Sequence, residues 1–195
     1  MPLDFTAIDF ETANRSSASA CAVGLVRVRD GRVTAQDAWL IRPPAGIDEF
    51  EPRNIEIHGI LPEHVADAPG WAEQMDRIAA FAGNDVLVAH NAGFDMAVMR
   101  RASDATGADC RRYESLCSVM VARRIYDLPT YRLPSAAAAA GFTDFQHHDA
   151  LADALACAHI IIDAASRTDS DDIRALADAV DVAITRMPAP ALASA

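Results

Sequence analysis

The chain has 195 residues, 51% of them hydrophobic, and a formal charge of −11 from 28 acidic and 17 basic residues, all of the latter arginine. That size and apolar content suit one compact domain, and no apolar run reaches the roughly 18 residues that a membrane-spanning helix needs. The acidic balance argues against a protein that coats nucleic acid non-specifically, but not against an enzyme that gathers acid at a metal site and places a few arginines where phosphates lie.

Residues 4–10 read as a buried opening strand, and residues 20–29 and 32–41 as a hairpin turned by Asp30-Gly31, a strong turn signal. A proline-rich loop runs from Arg42 to about Pro69. Trp71, Met75 and Ile78 give the spacing of a helix over 71–82, and Gly83-Asn84-Asp85 then turns the chain into an apolar strand at 86–89. A helix from Phe94 to Arg101, a fifth strand at 113–117 and a helix at 118–126 follow. Pro134 opens a helix over 135–140 that Gly141 stops. A long helix covers 149–166, and Asp169-Ser170-Asp171 caps a last one carrying Ile173, Leu176, Val180 and Ile184. The expected organisation is a domain over 1–168, a C-terminal helix over 169–186 packed on it, and a disordered tail over 187–195 that holds two prolines. Three early strands and then alternating helices and strands indicate a mixed α/β sheet.

Met1-Pro2-Leu3-Asp4 has neither the basic region nor the apolar stretch of a signal peptide. Cys21, Cys110, Cys117 and Cys157 show no C-x-x-C pair or zinc-ribbon spacing. Both observations lead to an expected cytoplasmic location with reduced, packed thiols.

Three acidic constellations carry chemistry. Asp9 and Glu11 flank Phe10 at the end of the first strand, and alternation puts the two carboxylates on one face. They repel each other unless a cation sits between them, and hard divalent cations take such oxygen ligands; two ordinary surface acids are the alternative. His90-Asn91-Ala92-Gly93-Phe94-Asp95 follows the strand at 86–89 directly, where open α/β sheets deliver ligand sites. Here the alternative is a loop hydrogen-bond network with Asp95 stabilising a helix N-terminus. His147-His148-Asp149 opens the long helix with Asp153 in its first turns. A histidine there can take a proton near neutral pH. Helix capping accounts for Asp149. A metal-binding His147-His148 couple is disfavoured, because adjacent positions diverge and no His-x-x-x-His spacing accompanies them.

In that order, Asp9-Phe10-Glu11-Thr12, His90 to Asp95, and His148 with Asp153 resemble the three motifs of the DEDDh exonucleases. The chain is similar, over about residues 4–165, to the epsilon proofreading subunit of bacterial DNA polymerase III and its stand-alone relatives; Ile57-His58-Gly59-Ile60 also resembles that group. The resemblance implies a ribonuclease H-like fold, a five-stranded mixed sheet flanked by helices. It implies that Asp9, Glu11, Asp95 and Asp153 hold two Mg2+ or Mn2+ ions, with His148 as general base. Thr12, His90, Asn91 and Phe94 would shape the pocket for the terminal nucleotide. The implied activity is 3′→5′ hydrolysis of single-stranded nucleic acid, with DNA as the expected substrate and nucleoside 5′-monophosphates as products. An RNA trimming exonuclease similar to ribonuclease T or oligoribonuclease is the alternative, and an inactive nucleic-acid-binding module a further one. A stand-alone enzyme is expected, or a proofreader whose DNA polymerase partner is not evident from the sequence. Arg100-Arg101, Arg111-Arg112 and Arg123-Arg124 form three pairs between the second and third motifs; they either guide the nucleic-acid backbone or lie on solvated helix faces.

Overall fold

The computed structural model describes residues 2–187. Three antiparallel strands open the chain: β1 (Phe5–Thr12), β2 (Ala20–Arg29) and β3 (Arg32–Leu40). Asp30 and Gly31 turn the hairpin with φ of 50° and 69°, the left-handed pair that matches strand twist. Two short helices, α1 (Pro52–His58) and α2 (Pro62–Val65), occupy part of the stretch read as loop. Two of the prolines that suggested a loop, Pro52 and Pro62, stand at helix starts, where the missing N–H costs nothing. Gly59, at φ 71°, closes α1.

The remaining elements are α3 (Trp71–Ala82), β4 (Leu87–Ala89), α4 (Ala92–Thr106), β5 (Glu114–Cys117), α5 (Ser118–Ile125), α6 (Leu133–Ala139), α7 (Ala150–Arg167), α8 (Ile173–Ala179) and β6 (Thr185–Arg186). The strands form one sheet in the order β3-β2-β1-β4-β5-β6, with β4 parallel to β1 and β5. Among the described residues the sheet thus has six strands rather than the expected five. The extra one, β6, is two residues long and too short to leave a periodic signature. It arises because the last helix ends before Ile184: Asp181 turns left-handed at φ 52°, and Val182 and Ile184 fold back onto the core. Met187, expected in the tail, is buried and its N–H donates to the Tyr113 carbonyl at 2.9 Å. Residues 188–195 lie outside the described residues. No helix among those described is long and apolar enough to cross a membrane.

Alternation along β1 divides the interior. Phe5 and Ala7 enter a core shared with Cys157, Ala158 and Ile161 of α7 and Leu176 of α8. Ile8 and Phe10 enter the opposite core with Trp71 and Ile78 of α3 and Val98 of α4. Asp9 and Glu11 continue the Phe5–Ala7 row, so they emerge on the α7 side.

The start of α7 reaches them because of Gly24. This residue pairs with Asp9 across β1 and β2. A Cβ on it would lie 2.2 Å from the Ala150 carbonyl oxygen and 2.4 Å from Leu151 N. Those atoms are backbone and cannot rotate aside, so a side chain at position 24 must push the helix away. Gly24→Ala should therefore cost about 1–3 kcal/mol, as overpacking does, and lower turnover as well. Thermal melts and turnover that both match wild type would show that α7 does not depend on this contact.

Candidate active site

Asp153, in the first turn of α7, descends onto the end of β1. Ligand oxygens of Asp9, Glu11 and Asp153 all lie within 4.8 Å of one another. Asp95, in the first turn of α4, is 1% exposed and accepts the Phe10 N–H at 3.2 Å, which sets it against the same strand end. Asp95 and Asp153 are buried, and Asp9 and Glu11, the pair with the surface-acid alternative, are half-buried beside them.

Burial first, then the fields of Asp95, Glu11 and Asp153, hold the Asp9 carboxyl well above the ordinary range. Burial, followed by Asp153 and Asp95, pushes Glu11 up to about 8. Burial takes Asp95 to about 8, opposed by backbone hydrogen bonds. Crowded, desolvated carboxylates are stable only when protonated or paired with a cation. An all-oxygen donor set of this charge fits a hard divalent ion.

Groups with raised folded pKa contribute stability while protonated, and that contribution is lost as pH rises through the folded values. In EDTA the Tm should fall between roughly pH 4, the usual carboxylate range, and the value of about 8 reached by Glu11 and Asp95. Mg2+ or Mn2+ should raise Tm most at the alkaline end of that window. A Tm in EDTA that is flat with pH, with no gain from either cation at pH 8, would count against a cation site.

His148 precedes α7 with φ 71°, and its backbone N–H donates to Asp153 Oδ2 at 3.1 Å. Burial and then the neighbouring His147 lower its pKa, against the pull of Asp153. The ring is thus neutral near pH 7 and free to accept a proton. His147 does not diverge from it as expected. The left-handed turn stacks the two rings, with centroids 3.8 Å apart, and His147 Nδ1 lies 3.1 and 2.9 Å from the two Asp153 oxygens. His147, His148 and Asp153 therefore form a second group whose ligand atoms lie within 4.8 Å. Asp149 caps α7 by accepting the Ala152 N–H at 2.9 Å.

A cavity of about 410 Å³ brings Asp9, Glu11, His148 and Asp153 together with His90 and Phe94. Asp95 lies beneath this lining. Phe94 and Ile57 are 39% and 42% exposed and give the cavity apolar walls. Thr12 and Asn91 do not line it. Thr12 is buried, and its carbonyl accepts from Asn54 Nδ2 at 2.8 Å and meets His58 Nε2 at 3.2 Å, tying α1 to β1. Asn91 is left-handed (φ 82°) at the start of α4 and lines a neighbouring cavity. His90 has both ring nitrogens occupied, by Ser118 Oγ at 2.8 Å and the Tyr131 carbonyl at 2.9 Å.

The sequence reading missed Asn54, His147 and Arg132 as lining residues. Asn54 stands on α1, whose signal was available in Pro52 at the start and Gly59 at the end. The buried Cys21 and Cys157 have thiols pushed up by burial, which suits packing and not nucleophilic use.

Most of the paired arginines are engaged away from this cavity. Arg100 pairs with Asp104 and Arg124 with Asp181. Arg111 bonds Asn84 and lies over the Tyr113 ring, and Arg112 donates to the Met187 carbonyl.

The chain matches the sequence model of a family described as Exonuclease over residues 6–161. It is 29% identical over 161 residues to a DNA polymerase III PolC-type protein of Thermotoga petrophila, covering 81% of this chain and 12% of that one. It is 35% identical over 108 residues to a DNA polymerase III subunit epsilon-like protein of Rhodobacter capsulatus, covering 51% and 15%. The chain spans about a quarter or less of the length of the curated relatives it matches. Among solved structures, Exonuclease X in complex with 5′ overhanging duplex DNA superposes with TM-score 0.70 at 27% identity, covering 90% of this chain and 99% of that one. The fold is accordingly the ribonuclease H-like one expected, with β6 added at the sheet edge.

Proposed function

This chain belongs to the exonuclease family, and from that premise we propose that it removes nucleoside 5′-monophosphates from the 3′ end of single-stranded nucleic acid, DNA foremost. The observation that carries the proposal is the convergence at one strand end of acids from β1 and α7, which line a single cavity with the neutral His148, and of Asp95 from α4 just beneath them. Asp9, Glu11, Asp95 and Asp153 would hold two divalent cations, Mg2+ or Mn2+, which supply the charge to bind the scissile phosphate, acidify water and stabilise the departing 3′ oxygen. His148 accepts the proton of the attacking water at its ring nitrogen. The field of the nearby Asp153 carboxylate favours the imidazolium that forms. Phe94 and Ile57 offer apolar faces to the terminal base and sugar, in a cavity of about 410 Å³ that suits one nucleotide.

The purified chain, with Mg2+ or Mn2+ and without any polymerase, should shorten 5′-labelled single-stranded DNA stepwise. From 3′-labelled DNA it should release the label as mononucleotide at the outset. Internal cuts, or a 3′ label that stays on long products, would overturn the polarity. RNA run in parallel tests the substrate: faster turnover of RNA would make this a trimming ribonuclease with the same chemistry, since the 2′-hydroxyl is what separates the two.

A further inference from the structure

An active site walled by carboxylates in a chain of charge −11 repels the polyanion it is proposed to cut, so positive charge must meet the strand nearby. Arg132 is the one arginine lining the active-site cavity, and it has no ion-pair partner among the described residues. The neighbouring cavity of about 370 Å³, lined by Asn91, Arg123, Thr130 and Tyr131, shares His90 and Arg132 with the first. Arg123 lies over the Tyr131 ring, 5.6 Å from its centroid. The loop carrying these groups is tied down: the Tyr131 carbonyl meets His90 Nε2 at 2.9 Å, and Tyr131 Oη donates to the Tyr126 carbonyl at 3.0 Å.

Resting on the exonuclease reading above, we infer that the strand 5′ of the scissile phosphate leaves the cavity over a ledge formed by Arg132, Tyr131 and Arg123, which holds its phosphodiester backbone. Two guanidinium groups neutralise successive phosphates, with Arg123 held over the Tyr131 ring; this recognition of the backbone is sequence-tolerant. Tyr131 is already bonded in place, so little of its own freedom is lost on binding. Of the six arginines paired in the sequence, only Arg123 lines either cavity, which is why pairing alone did not identify the track.

The test compares the wild-type chain with an Arg123→Glu/Arg132→Glu double variant and an Arg32→Glu control, whose site begins β3 at the far end of the hairpin from Ala22 and Leu40. Binding of a short fluorescent oligonucleotide, DNA and RNA in turn, is followed by anisotropy in Ca2+ across a salt series. Turnover is measured on the oligonucleotide and on the p-nitrophenyl ester of thymidine 5′-monophosphate, which is too short to reach the ledge. The double variant should bind both oligonucleotides about tenfold or more weaker, with a salt slope reduced by about 1.4, or ~0.7 per lost single-strand phosphate contact. Its loss of oligonucleotide turnover should exceed its loss on the ester by at least that factor. Binding and slope matching the Arg32→Glu control would overturn the ledge. So would equal losses on oligonucleotide and ester, or a loss confined to DNA or to RNA. A wild-type chain that binds oligonucleotide but cuts neither substrate would sink the exonuclease reading instead, leaving the binding series to decide the ledge.

Discussion

Asp9→Asn should lower turnover of every phosphodiester substrate by more than about 10³-fold, while raising the Tm of the protein in EDTA. The two effects share one cause. Asp9 sits among Glu11, Asp95 and Asp153 on the α7 face of β1, desolvated and repelled by all three. An amide of the same shape removes that repulsion and leaves the packing intact, so the metal-free protein gains stability. The same change removes a carboxylate from the set proposed to hold cations, and with it the means of gathering charge on the phosphate. Loss of a single preorganised donor costs about 10²–10³ in other hydrolases, and here a ligand is lost. Titration of Mn2+ should show weakened binding alongside the raised Tm. That combination separates a chemical defect from unfolding, which would lower Tm. Turnover within tenfold of wild type would remove Asp9 from the proposed machinery.

Replacing His148 should cost about 10²–10⁴ in kcat, the usual contribution of a positioned base, and leave Mn2+ affinity largely intact. Asn is the informative substitution, because residue 148 is held at φ 71° and Asn tolerates the left-handed region better than Ala. His148→Asn and His148→Ala should lose comparable activity, with Ala alone losing stability as well. Burial and His147 lower the His148 pKa, so with saturating Mn2+ the part of the acid limb that belongs to this ring should lie on the acid side of the ordinary imidazole range. That part should vanish in His148→Asn, while any limb from protons competing with the cation at the carboxylates stays. His147→Asn is the necessary comparison, since that ring contacts both Asp153 oxygens. If it costs more in kcat than His148→Asn, the role of base passes to His147.

Much of the site was legible because local chemistry placed it. Asp9 and Glu11 could be put on one face because β1 alternates strictly, as its partition between two cores shows. Asp153 could be assigned to a first helical turn because Asp149 caps α7, and Asp95 likewise, although the left-handed turn before α4 is made by Asn91 and Gly93, read as the turn, lies inside the helix. Other features were hidden for equally physical reasons. Helix α1 is seven residues long, too short to establish a period, yet it delivers Asn54, Ile57 and His58 to the cavity. The stacking of His147 on His148 depends on a positive φ at a histidine, which no propensity foretells. Thr12 stands in a matched motif but does not line the cavity: it is buried where the β1 register shifts, and its carbonyl is taken up by Asn54 and His58 of α1.

The sequence by itself determined the kinds of side chain available, their order, and the strand or helix end at which each would stand, because turn chemistry and periodicity act over a few residues. Only the tertiary structure decided that those ends meet. The bare Gly24 lets the start of α7 lie against β2 beside Asp9, and the Phe10 N–H holds Asp95 to the same strand from α4. Contacts across 85 residues of chain depend on which surfaces fit without a gap or a clash, and a single chain read alone does not record that fit.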